Sequence, residues 1–304
     1  MSLAIDLLLA LGLLWLGWQV VAGRTPFRSI VMFAAFGVLM AVVWARLGSP
    51  DLALAEAAIG AGLTGAMLLL TWRRMLEMAP ERAGQRLLRP SRLAAPVGVL
   101  CAMLVLGLGW TLAQLPEPQS SAGGDALAAL DGTGVGNPVT AVLLLFRGYD
   151  TLLEMVVLLA AWVGVCIVQP IVRPARPQPP ERVALLDALL AMVVPSAVLV
   201  GGYLLHAGGQ APGGAFQAGA VLAATGVLLA LCGRLAPLHE PLPLQRLMLV
   251  LGVAVFSVTG LASEPAFALT GMWAVYTIEA ALTVSIAITL VLLFLSSGGV
   301  RRRR

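Results

Sequence analysis

The chain has 304 residues, of which 60% are hydrophobic and 11% are charged. A soluble domain carries about 25% charged residues, so this composition excludes an ordinary soluble protein. A membrane-spanning helix needs about 20 apolar residues, and the apolar content suffices for about nine spans, with no room for a sizeable soluble domain. The composition therefore predicts an all-α fold, a polytopic transmembrane helical bundle.

Apolar segments bounded by charged residues, proline or glycine clusters divide the chain into nine candidate spans. In chain order they are 3–23, 27–47, 52–72, 93–115, 138–170, 184–205, 214–233, 245–263 and 272–296. Asp6 stands where a secretory signal peptide carries basic residues, so we expect the first span to be retained. Two polar connections that contain proline, 73–92 and 169–182, separate the spans into groups of three, two and four.

Arginine residues gather in alternate connections, after spans one, three, five, seven and nine, and only Arg46 breaks this pattern. The long connection 116–137 carries acidic residues and no basic one. Basic residues mark the cytoplasmic side, so the pattern predicts the N-terminus outside and the C-terminus inside. The final run, Arg301–Arg304, predicts contact with anionic lipid. No aromatic residues are interleaved with it, so we expect no nucleic-acid partner.

Cysteine and histidine are too dispersed for a metal site or a hydrolytic centre. Cys101, Cys166 and Cys232 each lie alone within an apolar segment, without Cys-x-x-Cys spacing. His206 and His239 are far apart, and neither belongs to a Ser/His/Asp group. We therefore expect no metal, no cofactor and no enzymatic activity.

Span five contains three charged residues, Arg147, Asp150 and Glu154, which the hydrocarbon region tolerates only when they find partners. Their spacings of three, four and seven place them on one face of a continuous helix. One interpretation is a segment of an ion or proton path, in which Arg147 keeps one carboxylate ionised while the other exchanges a proton. The alternative is a buried structural Arg–carboxylate pair that fixes packing against a neighbouring subunit.

Two further acidic residues, Glu56 and Glu279, lie within spans. Glu56 is about a turn and a half inside span three and is followed by several glycines, which let another helix approach closely. A protonation or cation site and a structural hydrogen bond both explain such a carboxylate. Asp51, by contrast, is explained by the positive end of the helix dipole.

The connection between spans six and seven is rich in glycine. It contains His206, Gln210, Pro212, Gly213 and Gly214, without the strand or the Lys-Ser/Thr pair of a phosphate-binding loop. We expect a tight re-entrant turn whose backbone polar groups are satisfied by protein or water. His206 is either a group that titrates near neutral pH or a satisfied interfacial side chain.

Three segments carry a family resemblance. Residues 48–63 (GSPDLALAEAAIGAGL) resemble the MbhD-type domain, and residues 137–154 (NPVTAVLLLFRGYDTLLE) resemble the MbhE-type segment. Residues 211–219 (APGGAFQAG) are similar to the Pro-Gly-Gly-Gly-Phe signature of the MrpB (MnhB) subunit. The resemblance implies a three-span module at 1–80, a two-span module at 90–172 and a four-span module at 183–304.

This resemblance implies a membrane subunit of an Mrp-type multisubunit cation/proton antiporter, related to complex I, that contributes to a proton or Na⁺ path. It implies a bacterial or archaeal plasma membrane and other membrane subunits as partners, including a complex I-like proton-pumping subunit. The match to the family motifs implies four candidate path residues in this chain: Glu56, Arg147, Asp150 and Glu154. The alternative is a non-conducting docking subunit of a related complex, such as membrane-bound hydrogenase or an inorganic-carbon uptake system.

Overall fold

A computed structural model describes residues 2–23, 25–78, 94–115, 122–168, 184–235 and 243–297. Within these ranges the regular structure is entirely helical, so the all-α prediction is confirmed. The helices are α1 (Ser2–Val21), α2 (Pro26–Arg46), α3 (Pro50–Ala55), π1 (Glu56–Leu63), α4 (Thr64–Met78), α5 (Ala94–Ala113), α6 (Ala122–Leu130), α7 (Pro138–Thr140), π2 (Ala141–Phe146), α8 (Gly148–Val168), α9 (Ala184–Ala207), α10 (Ala215–Leu231), α11 (Pro243–Ala262) and α12 (Met272–Ser297). The segments α3, π1 and α4 follow one another without interruption.

Eight helical segments of the described chain are long and apolar enough to cross a membrane, and α10 is a shorter apolar helix of 17 residues. These nine segments lie where the nine spans are predicted, with one correction. Span five does not run unbroken from residue 138, because a break at Arg147 separates α7 and π2 from α8. The helix α6, inside the predicted long connection, was not expected. The side of the membrane on which each terminus lies stays a prediction, and the Arg301–Arg304 run and His239 lie outside the described residues.

The core of the molecule is built around α12. Most of this helix is buried, and Ile278, Leu282 and Ile286 are almost completely enclosed. Its neighbour α10 approaches closely through small residues: a Cβ atom added at Gly226 would lie 2.5 Å from Val291 Cγ2. Close packing through small residues is the usual way in which membrane helices associate, because lipid provides no hydrophobic drive between them.

A second group of helices, α1 to α4, packs beside this core. The helix α2 lies against π1, where a Cβ atom added at Gly37 would meet the Ala61 backbone nitrogen at 3.0 Å. The segments α3 and π1 in turn contact α10, so the N-terminal group joins the core through the region around residue 51. Helix α5, in contrast, is exposed along its described length.

Two ion pairs join the ends of neighbouring helices. Arg46, the exception to the arginine pattern, pairs with Asp6 on α1. Arg234, just after α10, pairs with Asp187 in the first turn of α9. In each pair a helix start meets a helix end, as an alternating up-and-down arrangement requires.

Candidate functional site

The first site residue that the structure brings forward is Asp51, in the first turn of α3. Its side chain is buried, with 6% of the residue exposed. The Asp51 Oδ1 atom accepts a hydrogen bond from the Gly213 backbone N–H at 2.9 Å and a longer one from Asn137 Nδ2 at 3.5 Å. The Gln217 side chain also donates to the Asp51 backbone oxygen at 3.2 Å. Asp51 thus connects three distant parts of the sequence.

Glu279 is the second buried carboxylate of this region, with 4% of the residue exposed. It lies seven residues after the start of α12, about 10 Å along the helix axis. The backbone N–H of Ala215, the first residue of α10, donates a hydrogen bond to it. Its Oε2 atom is buried and has no hydrogen-bond partner. Asp51 accepts a hydrogen bond from Gly213, and Glu279 lies beside Gly214, so the two carboxylates flank adjacent residues of one turn.

The glycine-rich turn between α9 and α10 holds the two carboxylates together. Gly214 has φ +110°, a backbone conformation that residues with a Cβ atom rarely adopt. A Cβ atom at Gly214 would lie 3.0 Å from Glu279 Oε1. Because the Gly214 backbone N–H also bonds to the Leu204 carbonyl oxygen at 2.8 Å, the turn closes tightly on the last turn of α9.

Residues 136–140, which include α7, supply hydrogen-bond partners to the backbone of this turn. The backbone N–H groups of Gly136 and Asn137 donate to the Gly209 carbonyl oxygen at 2.9 and 3.1 Å. Thr140 donates its hydroxyl to the Gly208 carbonyl oxygen at 2.6 Å, and Asn137 Nδ2 donates to the Ala211 carbonyl oxygen at 3.0 Å. Protein groups therefore supply the partners that an irregular backbone needs at membrane depth.

The other predicted loop residues lie around the turn. His206 is exposed and stacks on Tyr276, with ring centroids 6.0 Å apart. Gln210 is exposed and donates to the Gly134 carbonyl oxygen at 3.2 Å, and Pro212 is exposed. Gly213, like Gly214, is buried.

The charged group of span five lies elsewhere, on the surface of the chain. Arg147 Nη2 and Asp150 Oδ2 form an ion pair of 2.6 Å, with 69% and 44% of the two side chains exposed. Glu154, one turn further along α8, is also exposed. The expectation that all three residues share one continuous helix is wrong, because Arg147 has φ −132° and lies at the break between π2 and α8.

Tertiary contacts account for this break. Gly148 packs so closely on Phe256 of α11 that a Cβ atom would lie 3.3 Å from Phe256 Cζ. The Thr151 hydroxyl donates to the Leu143 carbonyl oxygen at 2.7 Å, which replaces a backbone partner lost at the break. Thr151 and Met155 face the core, so Asp150 and Glu154 face outward.

Glu56 begins π1 and is half-buried. Its carboxyl group folds over Gly60, where it occupies the space that a side chain would take. A π-helical turn is rare and occurs frequently at functional sites. Within the described residues, no hydrogen bond or ion pair joins Glu56 or Glu154 to Asp51 or Glu279.

Two regions of the chain match known protein families. Residues 11–77 match the MbhD family of MBH subunits, and residues 185–300 match the "Domain related to MnhB subunit of Na+/H+ antiporter". The chain therefore contains an MbhD domain and an MnhB-related domain fused in one polypeptide. Asp51 and Glu56 thus lie in the MbhD domain, and the glycine-rich turn and Glu279 lie in the MnhB-like domain.

Two solved structures share the fold. A chain of the Mrp complex from Dietzia sp. DQ12-45-1b has 21% sequence identity and a TM-score of 0.78, and the match covers 97% of this chain. A chain of the membrane-bound sulfane sulfur reductase (MBS), an archaeal respiratory membrane complex, has 24% identity and a TM-score of 0.54; the match covers 66% of this chain and 97% of that one. This chain spans 35% of the length of the Dietzia chain. No curated protein matches it significantly.

Sequence reasoning missed part of the buried site. The sequence alone gives a local role, or no role, to three residues: Asp51, Asn137 and Gln217. Their hydrogen-bond partners lie 74 to 166 residues away along the chain. The available signal is that Asp51 and Asn137 each adjoin a proline at a helix start, inside segments with family resemblance. No group of three or more His, Cys, Asp or Glu residues within the described ranges has metal-binding geometry.

Proposed function

We propose that this subunit forms part of a proton or Na⁺ path within a multisubunit cation/proton antiporter. The observation that carries the proposal is a charged surface at the start of the membrane-spanning helix α8, formed by Asp150 and Glu154 on the helix and by Arg147 at the break before it. The proposed path also includes Glu56 and Glu279. The MbhD and MnhB-like domains support this function, since the second family is named for a Na⁺/H⁺ antiporter subunit.

The energetics of this face favour a path at a subunit boundary. A charged side chain in hydrocarbon costs about 2.5–3.5 kcal/mol on insertion scales. Arg147 and Asp150 offset each other, whereas Glu154 has no ion-pair partner in the part of the chain that the structure describes. The face therefore requires water or a polar surface of a neighbouring subunit, and a hydrated boundary gives an ion a route past Glu154.

The proposed setting follows the family. We place the subunit in a bacterial or archaeal plasma membrane, beside other membrane subunits that include a complex I-like proton pump. It acts as a transport subunit and not as an enzyme. The arginine-rich end contacts anionic lipid in this arrangement.

Transport measurements test the proposal. Everted membrane vesicles from cells that express the whole complex are assayed for antiport with Glu154→Gln and Glu56→Gln in this subunit. We expect both variants to abolish antiport while the complex still assembles, because glutamine keeps the shape and loses the exchangeable charge. Asp125→Asn, on exposed α6, is the matched control and should transport normally. Normal antiport by both glutamate variants contradicts the proposal.

A second candidate function is docking without conduction. The observation that favours it is α5, an apolar helix whose side chains are exposed along its described length and thus available to another membrane subunit. In this case the subunit links an antiporter-like pump to a further module, such as a redox or carbon-uptake arm. Co-purification of such a module, together with full antiport by the glutamate variants, would favour docking.

A further inference from the structure

We propose that Asp51 and Glu279 form one buried site for an exchangeable monovalent cation, a proton or Na⁺, at the junction of the MbhD and MnhB-like domains. The inference rests on the proposed transport function and deepens it, because it assigns a binding place to residues outside the α8 face. It adds Asp51, whose charge the sequence explains by a local helix dipole.

One carboxylate oxygen of Asp51 has hydrogen-bond donors from two other parts of the chain. Its Oδ1 atom accepts the Gly213 N–H at 2.9 Å and lies 3.5 Å from Asn137 Nδ2. Its position in the first turn of α3 adds the favourable field of a helix start. Asp51 Oδ1 therefore has two donors within the buried site.

Glu279 has fewer hydrogen-bond donors around its carboxyl group than Asp51 has. One backbone N–H, from Ala215, reaches the carboxyl group, while the Oε2 atom is enclosed and unpartnered. A buried polar atom without a partner costs free energy, and a buried unpaired charge costs more. A cation bound at Oε2 removes this cost, whether it is a proton attached to the oxygen or a Na⁺ ion beside it.

The charge balance also requires about one cation. Two ionised carboxylates carry two negative charges, and the start of α10 offers a partial positive charge of only about half a unit. None of the arginines that the structure describes pairs with Asp51 or Glu279. His206 of α9 is a further ionisable group of this region, and its ring stacks on Tyr276, about one turn before Glu279. Its ring is exposed and makes no hydrogen bond to either carboxylate.

The glycine-rich turn shapes the space around Glu279. A Cβ atom at Gly214 would lie 3.0 Å from Glu279 Oε1, and one at Gly208 would lie 3.2 Å from the same atom. Side chains at these positions would crowd the carboxyl group, whereas glycine leaves room for it beside the turn. The site therefore consists of two carboxylates, one unsatisfied oxygen atom and a wall formed by the glycine-rich turn.

Infrared difference spectroscopy tests the site without a transport assay. The purified full chain is brought from acidic to alkaline pH without Na⁺, and then titrated with NaCl at constant pH against choline chloride. We expect carboxyl and carboxylate bands that change with one of these steps and are lost in Glu279→Gln. A change with pH alone identifies a proton site, and a change with Na⁺ but not choline identifies a Na⁺ site. If no band that depends on Glu279 responds to either step, the inference is overturned.

Two further variants make the test specific. Asp51→Asn keeps an oxygen atom for the Gly213 N–H but removes the neighbouring charge, so the cation should bind Glu279 roughly tenfold more weakly or worse. Glu154→Gln is the matched control and should leave the Glu279 bands unchanged. If Glu154→Gln abolishes antiport but no Glu279 band responds, the path stands and this site fails. If the Glu279 bands respond and antiport survives Glu56→Gln and Glu154→Gln, the site stands and the proposed path fails.

Discussion

Replacing Asp51 by alanine tests the contact that joins the MbhD domain to the MnhB-like domain. The substitution removes the acceptor of the Gly213 N–H, which lies at 2.9 Å in a buried turn. An orphaned buried donor costs about 1–3 kcal/mol, and we expect the free energy of unfolding to fall by that amount. Asn137 Nδ2 keeps its bond to the Ala211 carbonyl oxygen, so the loss is concentrated on one hydrogen bond.

Asparagine at position 51 is the matched comparison. It retains an oxygen acceptor for Gly213, and the Gln217 bond to the backbone oxygen of residue 51 survives in both variants. Equilibrium unfolding of the full chain in one detergent, measured for wild type, Asp51→Asn and Asp51→Ala, gives the difference directly. We expect alanine to be clearly less stable than asparagine. Equal stability of the two variants would refute the hydrogen-bond argument.

Two glycine substitutions test the packing that supports the site. Gly214→Ala places a Cβ atom 3.0 Å from Glu279 Oε1 at a backbone φ of +110°, and we expect a loss of about 1–3 kcal/mol in the free energy of unfolding. Gly226→Ala places a Cβ atom 2.5 Å from Val291 Cγ2, so overpacking between α10 and α12 should cost a similar 1–3 kcal/mol. Gly107→Ala on exposed α5 meets no atom within 4 Å and should be neutral or stabilising in the same unfolding measurement; equal behaviour of all three variants would contradict both expectations.

The positions of the membrane helices could be predicted from the sequence because a span depends on local composition. An apolar segment of about 20 residues must be helical in lipid, whatever its neighbours are. The eight long helices and the shorter α10 accordingly lie at the nine predicted places. The break at Arg147 was not predictable on the same basis, because no proline marks it. It depends on Phe256 of α11 packing against Gly148 and on Thr151 supporting the Leu143 carbonyl group.

The buried pair shows where sequence reasoning ends. Glu279 is conspicuous as an acid within an apolar span, so it could be selected without a structure. Asp51 is an acid at a helix start, where the dipole explains it completely, and its contact with Gly213 bridges 162 residues. Because its position at a helix start already explains Asp51, the sequence gives no reason to expect its long-range contact.

The two groups of charges place different demands on the rest of a complex. The buried pair is enclosed by this chain alone, so the chain can hold a cation there without a partner, but an ion needs a route to reach it. The face of Arg147, Asp150 and Glu154 has the opposite character, since it is open and incomplete without a neighbour. If both belong to one path, the neighbour that covers α8 must also provide the connection, because no hydrogen bond or ion pair links the two groups within the described residues. Conduction is then a property of the assembly, whereas cation binding is a property of the chain.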